Sequence, residues 1–299
     1  SPDVRTVLRN FFPVFISRGV VQISAYVDEV LASLLPTGAV TGLFSAQPIY
    51  MLPVSLFGMA VTAAELPAMS RASGEAGEVA AYLRRRLDGG LRQIAFFIVP
   101  SAVAFLAAGD VIAGALLQTG RFTYADSLYV WGILAGSATG MLAATQGRLY
   151  ASAFYSMRDA RTPLDYALVH VALATALGYI SAVHAPGWIG IPQRWGVVGL
   201  TLSASVAAWV EFVLLRRRLN ARIGRTGLPA PYLARLFAAA AAGAAVTWAA
   251  RLAAGPRHPA VLAAAVLGPY VLVYLGGTLL LRVPEGRAAF ARGLRLLGR

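Results

Sequence analysis

The chain has 299 residues, of which 58% are hydrophobic and 13% charged, with a mean hydropathy of +0.65. Soluble globular proteins carry about 25% charged residues, so the composition excludes that class and points into a membrane. The net charge of +13 comes from arginine alone, since the sequence contains no lysine, and the lack of cysteine excludes disulfides and thiolate metal sites.

Apolar windows of about 20 residues, long enough to cross a hydrocarbon core as helices, recur along the chain. They predict an all-α polytopic membrane protein of about eight transmembrane helices, over 11–35, 39–69, 93–118, 127–155, 163–184, 196–216, 231–254 and 259–281. The period-2 alternation of a membrane β-barrel is absent. The opening SPDVRTVLRN has no apolar core or small-residue cleavage site, so no signal peptide is expected, and without an initiator Met the chain reads as a piece of something longer.

The first span carries Arg18, Asp28 and Glu29, each costing roughly 2.5–3.5 kcal/mol near a span centre. Arg18, Gln22, Ala25 and Glu29 share a helical stripe, so Arg18, Gln22 and Glu29 are expected to form a cavity wall. Asp28, about 100° round the helix, is then free to serve a separate site. The competing reading puts Asp28 and Glu29 in the outer headgroup zone with Arg18 snorkelling to the other side. The second span holds Gln47, Pro48, Pro53 and, near its end, Glu65; proline bends a membrane helix and often marks a moving segment. Next comes the loop with Arg71, Arg84, Arg85, Arg86 and Arg92, in which 77–91 reads as an amphipathic helix at the membrane interface or a solvated loop helix. Arg148, Asp165 and Glu211 fall near span ends and are expected at the interface, and His170 reads as a hydrogen-bonded packing residue. A second amphipathic segment, 285–297, closes the chain.

Arginine-rich connections alternate with arginine-poor ones. Arginine accumulates on the cytoplasmic side, so both termini are expected there, and the basic excess is a topology signal with no nucleic-acid partner implied. No phosphate loop, H-E-x-x-H, nucleophile elbow or metalloenzyme cluster occurs, so an enzyme is not expected.

Five blocks in order, DEVLASLLPTGAVTGLFSA, LPVSLFGMAVTAAELPAMSR, GRFT, ASAFYSMRDARTP and GVVGLTLSASVAAWVEFVLLRRRL, resemble the C-terminal portion of the MurJ (MviN) lipid II flippases of the MOP exporter superfamily. The resemblance implies the family's seventh helix onward: a six-helix second lobe over 1–220, then two additional helices and a basic tail over 221–299. The first lobe would be missing as a partner. The substrate implied is a lipid-linked glycan of the undecaprenyl pyrophosphate type, flipped by alternating access in the bacterial inner membrane.

The resemblance also implies a sodium ion, held in some members by residues matching Asp28, Asp159, Val171 and Thr175, with no other cofactor. Tyr155 stands where a sodium-binding member has an amide. Pro48, beside Gln47, stands where the family usually has a cavity arginine, which Arg18 on the neighbouring helix would have to replace. Two alternatives remain open at this level: a flippase for another lipid-linked glycan or an ion-coupled antiporter of the superfamily, and a non-transporting scaffold for cell-wall synthesis.

Overall fold

A computed structural model of the chain describes residues 26–254 and 258–297. The described residues form nine helices, numbered here α1 (26–33), α2 (Ala39–Ser70), α3 (Ala76–Leu117), α4 (Tyr124–Ser156), α5 (Arg161–Ile189), α6 (Gly196–Ile223), α7 (Ala230–Ala254), α8 (Pro259–Leu280) and α9 (Pro284–Leu297). No strand occurs among them. Seven helices, α2 to α8, are long and apolar enough to cross a membrane. Of the expected first span only α1 lies within the described residues; Arg18 and Gln22 lie outside them.

Helices α3 and α4 are the centre of the bundle. In α3, 67% of the apolar window is buried, against 22% for α2, α5 and α8, so the latter leave most of their surface outside the bundle core. Helix α3 is broken at Ala108, where φ is −142°, and at about 1.5 Å per residue the stretch 76–107 alone runs about 48 Å, well beyond a hydrocarbon core of roughly 30 Å. Segment 77–91 is therefore the first part of one long helix. It does not lie at the interface: its apolar stripe, Leu83, Leu87 and Leu91, is buried in the protein core. Gly90 permits this, since a Cβ there would come within 2.8 Å of Leu149 on α4.

Prolines shape the spans, and other groups meet the carbonyls they leave. Behind Pro53, α2 widens into a π-helical stretch, Val54–Met59, the local adjustment that lets a proline persist in a membrane helix. In α5 a second π-helical stretch, Ile180–His184, precedes Pro186. Pro186 has no N–H for the preceding turn, and the Gln193 side chain donates to the carbonyls of Ala182 and Val183 at 3.1 and 3.0 Å. Pro100 withdraws the donor for the Phe96 carbonyl, and the Tyr274 hydroxyl supplies one from α8 at 2.5 Å.

That last bond is one rung of a ladder fixing α7 and α8 along α3. Tyr232 donates to Arg92 O at 3.2 Å and Tyr270 to Pro100 O at 2.6 Å. Near the far end Arg251 pairs with both oxygens of buried Asp110 and reaches the Tyr124 hydroxyl at 3.1 Å. Neither Asp110 nor Arg251 stands out in the sequence, because each looks like a lone charge near a span end.

At the arginine-rich end the 224–229 turn is clasped from several sides. Gly227 N donates to Asp88 at 3.0 Å, Arg216 Nε donates to Thr226 O at 3.1 Å, and Arg84 donates to Ile223 O. The backbone takes φ of 89° at Gly224 and 112° at Gly227, a region that favours glycine. A Cβ at either would also strike the Arg84 or Arg216 guanidinium at 2.7 Å.

Candidate functional site

A cavity of about 290 Å³ opens among α1, α2, α4, α5 and α6. It exists because the facing residues of α4 and α6 are small: Ser137, Gly140 and Ala144 look across at Ala204, Ser205 and Ala208. Close approach of the two helices needs the glycines, since a Cβ on Gly140 would lie 2.5 Å from the Ser205 backbone. Ser205 Oγ then donates to Gly136 O at 2.8 Å.

Into this space project Asp28 and Glu29 from α1, Gln47 and Tyr50 from α2, Arg148 from α4 and His170 from α5. Asp28 and Glu29 line the same cavity, so the expected separation of a Glu29 wall from an independent Asp28 site does not hold. The two side chains diverge by about 100°, but the cavity is wide enough to receive both. Gln47 lines the cavity. Pro48 does not; it is exposed on α2.

Arg148 is the cavity arginine among the described residues, and it is not the one expected. Its place near a span end suggests the interface; in the structure it is exposed and also borders the cavity. No carboxylate of the described residues pairs with it. His170 and Glu211 are likewise not isolated: His170 Nδ1 lies 2.8 Å from Glu211 Oε2, across α5 and α6. Glu211, expected at the interface, thus braces a residue of the cavity wall. Asp165 is exposed and does not line the cavity.

Of the residues matched to a sodium ion, one borders the cavity. Asp28 lines the cavity; Asp159, Val171 and Thr175 do not. Asp159 caps the start of α5, with Oδ1 accepting from Thr162 N at 3.0 Å and Oδ2 from Thr162 Oγ1 at 2.8 Å. Arg222 Nη1 stands 2.6 Å from that same Oδ2. Partial burial opposes ionisation of Asp159, but the Thr162 hydrogen bonds and then Arg222 outweigh it and hold the carboxyl below the usual range. A guanidinium on that oxygen repels a second cation. The donor set in this arrangement does not fit a shared sodium ion.

The comparisons with known proteins agree with this architecture. The family model described as Lipid II flippase MurJ matches residues 1–264. A probable lipid II flippase MurJ of Bdellovibrio bacteriovorus is 28% identical over 72% of this chain and 39% of its own length. That of Vibrio cholerae is 27% identical over 74% of the chain and 40% of its own, and that of Rhizobium tropici 30% identical over 73% and 39%. The chain thus spans about two fifths of these relatives' length. A solved structure of lipid II flippase MurJ in an inward closed conformation superposes with a TM-score of 0.75 at 21% identity, over 93% of this chain and 55% of that one. The matched family model covers most of the sequence and the solved structure shares its fold: the chain belongs to the lipid II flippase MurJ family.

Proposed function

We propose that this chain is the C-terminal part of a lipid II flippase of the bacterial inner membrane, with both termini cytoplasmic, and that its cavity is one wall of the translocation path. The observation that carries this reading is Arg148, a cation with no carboxylate partner among the described residues, lining a cavity among membrane-spanning helices of a MurJ-family chain. An intramembrane charge is retained where it meets a partner or substrate, and a guanidinium suits the oxygens of a pyrophosphate. The remaining wall, Glu29 and Gln47 with Tyr50, offers hydrogen-bonding groups to a glycan headgroup. Arg18 and Gln22, outside the described residues, would extend that wall along the first span.

Transport in this reading breaks and forms no covalent bond in the substrate. The second lobe rocks against the N-terminal lobe, the partner this chain requires, and the lipid tail stays in the bilayer while the headgroup crosses through the cavity. Helix α2 supplies the compliance, because its π-helical stretch behind Pro53 already departs from α-helical bonding. The Asp28, Asp159, Val171 and Thr175 set does not fit a sodium ion as arranged, and no step is routed through one. The family match supports lipid II over the antiporter and scaffold readings.

The test is rescue of a bacterium depleted of its own flippase, reading outward exposure of the precursor. The chain is expressed with the N-terminal lobe of its source. Rescue that disappears with Arg148→Ala is expected; no rescue with both parts present in the membrane refutes the proposal.

A further inference from the structure

A second concavity, apolar and open, lies at the end of the bundle opposite the arginine-rich turns. Its walls are Trp131, Gly132 and Ala135 of α4, Pro192 of the α5–α6 connection, and Trp195 and Val198 at the start of α6, enclosing about 360 Å³. It is a built feature. Gly132 has no side chain where the Trp195 ring lies, and a Cβ there would be 2.7 Å from that ring. The Trp131 indole N–H is anchored outside the groove, donating to Phe105 O at 3.0 Å and Leu106 O at 3.2 Å beside the break in α3 at Ala108. Tyr129 holds the connection in place by donating to Arg194 O at 2.8 Å and packs edge-on against Trp195.

At the mouth stands Arg194. Its guanidinium sits over the Trp195 ring, 5.8 Å from the centroid, is exposed, and has no carboxylate partner among the described residues. Nearby, Trp188 and Ile189 are exposed, and Trp188 stacks on His184. Exposed tryptophans mark the level where headgroups meet acyl chains. Ala135 lies about 16 Å along α4 from its first residue at 1.5 Å per residue, so the groove runs from headgroup level into the acyl region.

We infer that this groove binds one anionic phospholipid of the outer leaflet, its phosphate on Arg194 and an acyl chain along Trp131, Ala135 and Val198. The charge at the mouth selects the headgroup, because a phosphate bearing no compensating ammonium neutralises a guanidinium that the protein leaves unpaired. The groove is separate from the cavity among α1, α2, α4, α5 and α6; its leaflet rests on the proposed orientation, and its occupancy does not depend on the transport reading.

Quenching of tryptophan by brominated acyl chains tests this on the purified chain in nanodiscs. Variants retaining only Trp131 or Trp195 are compared in phosphatidylcholine bilayers doped with brominated phosphatidylglycerol or brominated phosphatidylcholine. Both tryptophans are expected to be quenched about fivefold more effectively by the anionic lipid, the factor that one arginine near an anionic surface supplies. Arg194→Gln should abolish the preference and leave quenching itself, whereas Ala135→Phe should fill the groove and reduce quenching by either lipid. Equal quenching by both lipids in the parent chain overturns the headgroup assignment. No quenching by either overturns the site.

Discussion

In the proposed reading Arg148 differs from the other arginines, because among the described residues it is the arginine that lines the cavity. Losing a hydrogen bond to a charged group costs about 1.5–3 kcal/mol, so Arg148→Ala in the complete protein should lower precursor flipping by about 10- to 150-fold. Arg148→Lys, which keeps the charge without the planar fork, should fall between. The sequence shows that an arginine sits near the end of the fourth span, but not what faces it; the cavity depends on Gly140, Ala144 and Ala204, residues that look like ordinary packing. His170 and Glu211 escape the same way, each unremarkable until α5 and α6 bring them within 2.8 Å. Asp28, Glu29 and Gln47 are legible because a charge or amide within an apolar window is conspicuous on its own. Asp159 is legible as a motif acid, while its partner Arg222 is hidden in an arginine run. Its depressed carboxyl fixes the sign of a pH effect. The clasp on Arg222 and Thr162 contributes fully above the ordinary carboxylate value of about 3.9 and is lost as pH falls through the lower folded value. Proteolysis of the 157–160 turn in detergent should therefore accelerate in that acid window for the parent chain. Asp159→Asn should be fast already at neutral pH.

At the scale of elements, the prolines were readable as bends and their partners were not. Tyr274, which meets the Phe96 carbonyl left by Pro100, is 178 residues away in sequence, and Gln193, which serves the turn before Pro186, lies in a connection. Hydrogen bonds between membrane helices contribute about 0.6 kcal/mol on average and up to about 1.7. Tyr274→Phe should thus lower thermal stability in detergent by about 1 kcal/mol. In a Pro100→Ala background, where an α3 N–H again reaches Phe96 O, the same substitution should cost measurably less, and a double-mutant cycle on unfolding temperatures reads the difference. Segment 77–91 shows another limit of legibility. Its periodicity correctly announces a buried apolar stripe, but periodicity does not say whether lipid or protein covers it. The cover here is the bundle core, which needs Gly90 and the length of α3.

For the molecule as a whole, the order of the seven spans among the described residues follows from apolar windows, which must be helical when the backbone has no water to bond. The orientation rests on arginine placement and has a direct check, since the sequence contains no cysteine. With Arg225→Cys or Trp188→Cys introduced singly, an impermeant thiol reagent applied to intact cells should label the second and not the first; the opposite pattern would invert the topology. Along residues 76–100, α3 provides roughly 36 Å of continuous helix at 1.5 Å per residue, and its arginine-rich tip holds the 224–229 turn through Arg84 and Asp88. The break in α3 lies further on, at Ala108, where φ is −142°, so that stretch would move as one arm if the helix pivots there. A tilt of about 10° at that break would sweep the tip, roughly 48 Å away at that rise per residue, through roughly 8 Å and carry the clasped turn with it. A small rotation within the bilayer would then be magnified at the arginine-rich end, where a distance probe can follow it without touching the cavity.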